Sequence, residues 1–145
     1  MKITHEITMK IMLEPNTKKP TRAHRTDAGL DLYARETYGM MPGQSAVIDT
    51  GVHIELPHGY YGKIESKSGL NVKYGIVSCG GVIDEGYTGS ICVKLYNLSQ
   101  DTYIVSAGDK VAQLVIMPYI APELEIVDTL EDTPRGAEGF GSTGK

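Results

Sequence analysis

Residues 80–97 read GGVIDEGYTGSICVKLYN. The second half alternates: Ile91, Val93 and Leu95 fall on one face, with Cys92, Lys94 and Tyr96 on the other. That period of two belongs to a strand with one side covered. The first half holds four glycines and an Asp within ten residues, so it must turn. The same pairing of strand and turn recurs outward along the chain. GVHIELP (51–57) places Val52, Ile54 and Leu56 on one face, and TMKIML (8–13) does so with Met9, Ile11 and Leu13. Turn formers separate the runs at LPHGYYG (56–62) and SAGD (106–109). Many short strands punctuated by Gly and Pro predict an all-β barrel or sandwich. One short helix, of one to two turns, is expected in SKSGLNVKYG (66–75).

With 145 residues the chain is expected to be one domain, large enough to bury a core without staples. No run approaches the ~20 apolar residues of a membrane span, so no membrane partner is expected. The formal net charge is −4. A broad nucleic-acid-binding face needs a basic surplus, and none is present. An anion, if bound, must be held by a few placed groups. Cys79 and Cys92 make neither a disulfide framework nor a metal spacing, which fits a reduced cytoplasmic compartment.

The texture changes after about residue 128. DTLEDTPRGAEGFGSTGK (128–145) has acids, a Pro, four Gly in its last ten residues and the only Phe of the protein, Phe140. Ordering ten such residues costs roughly 10–20 kcal/mol, with one large apolar side chain to offset it. Residues 1–133 are therefore read as a folded body and 134–145 as a flexible glycine-rich arm. GFGSTGK (139–145) fits the start of the phosphate-loop pattern G-x-x-x-x-G-K. That mechanism needs a following helix, and none is expected beyond Lys145. What survives is the chemistry of Arg135, Ser142, Thr143 and successive backbone N–H groups, which suits phosphate.

Other segments carry weaker signals. In GGVIDEGYTG, Asp84 reads structurally as the cap of a hairpin turn and functionally as a carboxylate that deprotonates a water. IESKSGL (64–70) offers Lys67, Ser68 and Gly69 at the mouth of a helical turn, a plausible phosphate cradle. AGLDLYA (28–34) carries Asp31, which in such a setting is commonly only a turn or edge residue. GDKVAQL (108–114) reads as a turn and a strand, with Gln113 among apolar neighbours and in need of a partner if buried.

In order and spacing these five segments resemble the five motifs of the trimeric dUTP diphosphatase (dUTPase) family, from about Ala28 to Thr143. GGVIDEGYTG and RGAEGFGSTG are the specific ones. The resemblance implies an all-β, jelly-roll-like distorted β-barrel subunit with one short helix and a C-terminal arm. It implies hydrolysis of dUTP to dUMP and pyrophosphate by water attack on the α-phosphorus, with Mg2+ on the triphosphate. Three copies would share three active sites. Asp84 matches the carboxylate that activates water, and Tyr87 the residue that lies on deoxyribose. The main chain around Gly81 and Ile83 would read uracil, whose edge offers acceptor, donor, acceptor. Lys67, Ser68, Gly69 and Gln113 match phosphate contacts, and Asp31 matches an acid that reaches magnesium through water. Phe140 and Gly141 would cover the base, with Arg135, Ser142 and Thr143 on the phosphates, so the arm would act as a lid.

Three positions depart from the commonest pattern. Lys67 and Lys110 stand where Arg is frequent, and Ser66 where Pro is often found. Lys keeps the charge of Arg without its bidentate fork, so weaker phosphate orientation is expected. Two other readings compete. Deamination of dCTP would call for a catalytic Glu and a longer chain. A nucleotide-sensing protein without turnover would release no pyrophosphate.

Overall fold

The computed structural model describes residues 7–144. Eleven strands and one helix follow in the order β1 (Lys10–Leu13), β2 (Gly29–Tyr33), β3 (Tyr38–Met40), β4 (Ser45–Asp49), β5 (Val52–Glu55), β6 (Tyr60–Glu65), α1 (Ser68–Tyr74), β7 (Ile76–Ser78), β8 (Val82–Ile83), β9 (Cys92–Asn97), β10 (Tyr103–Val105) and β11 (Lys110–Pro118). All strand pairs are antiparallel. They form a four-stranded sheet β2-β11-β6-β8, a three-stranded sheet β4-β9-β7, and the pairs β1-β5 and β10-β3. The all-β expectation with one short helix holds, with the strands divided among these ladders rather than closed into a barrel.

The alternating runs explain the core. Ile91, Val93 and Leu95 are buried, as are Val52, Ile54 and Leu56, and they meet Leu114, Ile64, Leu32 and Ile76 in one apolar cluster. Asn97 continues the inward face of β9 and is fully buried. Its amide donates to Met40 O (3.0 Å) and Asp101 O (2.8 Å), so the buried polar group is satisfied. β1 behaves differently. It pairs with β5, but Ile11, Met12 and Leu13 remain exposed, because nothing among the described residues covers them.

α1 is seven residues long and ends at Gly75, whose φ of 65° is the left-handed closure that glycine adopts without strain. β8 is the shortest strand. It does not form the local hairpin suggested by its glycine-rich surroundings. Instead it adds to β6, with Ile83 opposite Gly62, while the chain returning from Thr88 joins β9 in the other sheet. Beyond Pro118 no strand or helix forms, and residues 119–144 are exposed. Lys145 and the first six residues lie outside the described residues.

Candidate active site

The sheet β2-β11-β6-β8 carries most of the singled-out residues. Across it Asp31 of β2, Gln113 of β11 and Glu65 of β6 stand in one row. Row and helix start meet in a cleft of about 430 Å³ lined by Asp27, Gly29, Asp31, Lys67, Gln113 and Val115. Asp31 is buried rather than a solvated edge residue. Lys67 Nζ lies 2.5 Å from its Oδ1 and Lys110 Nζ 3.2 Å from its Oδ2. Burial opposes the charged carboxylate, but the bonds and charges of Lys67 and Lys110 outweigh it and hold the carboxyl below the usual range. Gln113 finds its partner: its Nε2 donates to Ser66 O at 3.1 Å. Ser66 is itself fixed by Ser78, whose N–H donates to Ser66 Oγ at 2.9 Å. Lys67 occupies the N-cap position of α1, and Ser68 and Gly69 open its first turn, exposed beside the cleft.

Asp84 belongs to a different cleft, of about 510 Å³, lined by Tyr61, Val82, Asp84, Glu85, Gly86 and Tyr119. Just before Val82, Gly81 takes φ 111°, its carbonyl accepting the Ile64 N–H at 2.8 Å. Ile83 turns into the core, and Val82 and Asp84 face out. A turn follows, with Tyr87 N–H donating to Asp84 O at 3.0 Å. The half-exposed Tyr87 ring packs on Gly89, and its hydroxyl donates to Ser90 O at 2.9 Å. Glu85 accepts the Gly59 N–H, and that bond, with His58 and the Tyr119 hydroxyl, holds its carboxyl below the usual range against the cost of burial.

The two clefts share no lining residue. Between Asp84 and Gln113 lie four residues of strand rise and two strand spacings, roughly 16 Å. The arm approaches neither cleft. Among the described residues its hydrogen bonds are local: Arg135 Nε donates to Glu138 O (3.0 Å), Ser142 N–H to Gly139 O (2.9 Å), and Gly136 N–H reaches back only to Thr133 Oγ1 (3.0 Å). Phe140 is fully exposed, and Gly141, Ser142 and Thr143 are exposed with it. Among the described residues no group of three His, Cys, Asp or Glu could hold a metal, and no helix is long and apolar enough to cross a membrane.

The dUTPase family model matches residues 16–144. The chain belongs to the dUTPase family. It is 42% identical to the deoxyuridine 5'-triphosphate nucleotidohydrolase of Mus musculus, over 93% of this chain and 83% of that protein. It spans only 53% of the length of a human mitochondrial relative, to which it is 43% identical over 92% of this chain. Among solved structures it resembles the Staphylococcus bacteriophage 80alpha dUTPase with dUPNHPP, at TM-score 0.90 and 33% identity over 95% of this chain and 99% of that one. It also resembles a mutant dUTPase of S. aureus phage phi11, described with a structural Mg(II) ion, at TM-score 0.81 and 33% identity over 87% and 100%. Those structures share the β-rich fold described here.

Within this dUTPase chain, motif reading passed over several residues of the clefts. Lys110 was visible as a substitution, but nothing linear linked it to Asp31. Tyr61 and Tyr119 lie far from Asp84 in sequence, and only sheet pairing brings them alongside. Gly29 carries no signal of its own in the sequence, yet a Cβ there would overlap the Gln113 amide.

Proposed function

We propose that the protein hydrolyses dUTP to dUMP and pyrophosphate, with Asp84 as general base. The observation that carries this reading is Asp84 itself, exposed beside an open cleft on a short loop that Gly81 and Tyr87 flank. Asp84 takes a proton from water as the water oxygen bonds to the α-phosphorus. The bond from that phosphorus to the bridging oxygen breaks, and pyrophosphate leaves. The main chain at Gly81 and Ile83 reads uracil, and Tyr87 lies against deoxyribose. Its membership of the family and the names of its relatives support the substrate.

Lys67, Ser68, Gly69 and Gln113 take the phosphates in the other cleft. No single chain brings that cleft to Asp84, and the separation of roughly 16 Å, built from strand rise and spacing, supports sites shared between copies in a homotrimer. Among the described residues the exposed Ile11, Met12 and Leu13 of β1 and the exposed Ile120, Leu124 and Ile126 also suit burial in an assembly. The arm, from 134 to 145, closes as a lid: Phe140 covers the base with Gly141, while Arg135, Ser142 and Thr143 meet the phosphates. Several charge-assisted bonds of about 1.5–3 kcal/mol each, with stacking, meet its ordering cost.

The residues fit a divalent metal only as part of the substrate. Of the acids lining the phosphate cleft, Asp27 and Asp31, Asp31 is the buried one, and both its oxygens already face ammonium groups. It can reach Mg2+ on the triphosphate through water, not as a cage. Bound there, Mg2+ supplies neutralisation of phosphate charge. The exposed, unpaired Cys79 and Cys92 suit a cytoplasmic setting.

The test is Asp84→Asn. It removes the proton acceptor, so turnover of dUTP should vanish while binding of a non-cleavable analogue persists. Undiminished pyrophosphate release by the variant would remove Asp84 from this role. Assays with dCTP, dTTP and UTP separate the reading from deamination, which would yield uracil nucleotide from dCTP.

A further inference from the structure

We propose that Glu85 and His53 are positioning residues for the reaction, mooring the two ends of the 84–88 loop so that Asp84 and Tyr87 keep fixed attitudes toward the nucleotide. The inference rests on the reading of Asp84 as base and Tyr87 as sugar contact.

The loop needs such moorings because its backbone supplies little. β8 contributes two residues of pairing, and the next ladder bond after it is Ile91 N–H to Val52 O, 2.8 Å. Between them, among the described residues, the only main-chain bond is the turn from Tyr87 N–H to Asp84 O. Side chains hold the rest. Glu85 Oε1 accepts the Gly59 N–H at 2.5 Å and the Tyr119 hydroxyl at 3.2 Å, and Oε2 faces His58 Nδ1 at 3.3 Å. Three donors from the turn before β6 and the end of β11 thus meet one carboxylate. Asp84, its neighbour in the chain, makes no side-chain bond of its own among the described residues, so its placement follows that of Glu85.

At the other end His53 of β5 donates from Nδ1 to Thr88 O at 2.7 Å. Its Nε2 faces Glu14 Oε1 at 3.2 Å, and Glu14 is in turn paired with Arg35, which also reaches Asp49 at 3.3 Å. Thr88 follows Tyr87 directly, so this chain of contacts sets the strand exit on which the Tyr87 ring rests.

The two moorings predict different kinetic signatures. Glu85→Ala should lower kcat about 10- to 100-fold, as expected of a base misplaced by about an ångström, with KM little changed. Glu85→Gln keeps an acceptor for Gly59 and Tyr119 and should retain most activity. Tyr119→Phe removes one donor of three and should cause a smaller loss in kcat. His53→Ala should raise KM several-fold and leave kcat nearly intact, because the sugar contact rather than the base moves. Melting curves and oligomer size identify any variant that fails to fold, in which case Glu85→Gln and Tyr119→Phe still decide the matter. Unchanged kcat in a folded Glu85→Ala, equal impairment of the Ala and Gln variants, or a His53→Ala effect on kcat alone would overturn the proposal. Asp84→Asn is assayed in parallel. Turnover by that variant defeats the catalytic reading itself, whereas a dead Asp84→Asn beside a normal Glu85→Ala defeats only the mooring.

Discussion

Gly29 lies directly beneath the Gln113 amide, so close that a Cβ at position 29 would overlap Gln113 Oε1. The two residues sit on neighbouring strands, Gly29 opposite Val115 and Gln113 opposite Asp31. The missing side chain is what lets the amide lie down in the cleft beside Asp31 and donate to Ser66 O.

Gly29→Ala should therefore push aside the end of a flexible side chain without disturbing the core. The melting temperature should change little, while kcat/KM falls about 10-fold or more, the loss expected for a bond to a charged group. Steady-state kinetics beside a thermal melt check this. A fully active variant would show that Gln113 does not need its observed place.

Gly81→Ala should behave in the opposite way. Position 81 has φ 111°, and an added Cβ would stand 2.5 Å from Ile64 Cβ, at the stiff base of a buried branched side chain. Backbone strain and overpacking together should cost roughly 2–5 kcal/mol, lowering the melting temperature markedly and displacing the main chain proposed to read uracil. Chemical denaturation measures the loss. Wild-type stability would contradict the close approach.

The Asp31 cluster makes part of the stability pH-dependent. Its folded carboxyl titrates below its unfolded value, so the cluster stabilises the protein above the ordinary carboxylate range. That contribution is lost as pH falls through the range and on to the folded value. Asp31→Asn lacks it. Melting temperatures of the two proteins should be well separated near pH 7 and converge toward about pH 3, below the usual Asp value. A gap that stays constant with pH would mean that the lysines do not stabilise the ionised acid.

Removal of the arm tests the lid. A chain cut after Thr133 should fold and assemble as the full one does, since among the described residues the arm bonds no further into the body than Thr133, yet lose nearly all turnover. Size-exclusion chromatography and pyrophosphate release measure both parts. An unimpaired shortened enzyme would reduce the arm to a tail.

The alternation at Val52, Ile54, Leu56 and at Ile91, Val93, Leu95 was legible because a strand in a half-covered sheet repeats every two residues, and these side chains are the buried ones. The alternation in TMKIML likewise marked a strand, β1, with Met9 just before it packed on the core, but Ile11 and Leu13 stay exposed among the described residues, because periodicity reports which side is apolar and not what covers it. Turn-forming residues around Asp84 suggested a local hairpin there. The structure instead hands β8 to one sheet and β9 to the other, a choice made by long-range pairing.

From the linear order of residues alone came the β class, the short helix, and the chemical groups suited to a nucleotide, since propensity and side-chain chemistry act locally. Tertiary structure alone decided that Lys67 and Lys110 converge on Asp31, that Gly59 and Tyr119 hold Glu85, and that Asp84 and Gln113 stand apart. Those relations join positions tens of residues distant, and only the free energy of packing sheets and satisfying buried polar groups selects them.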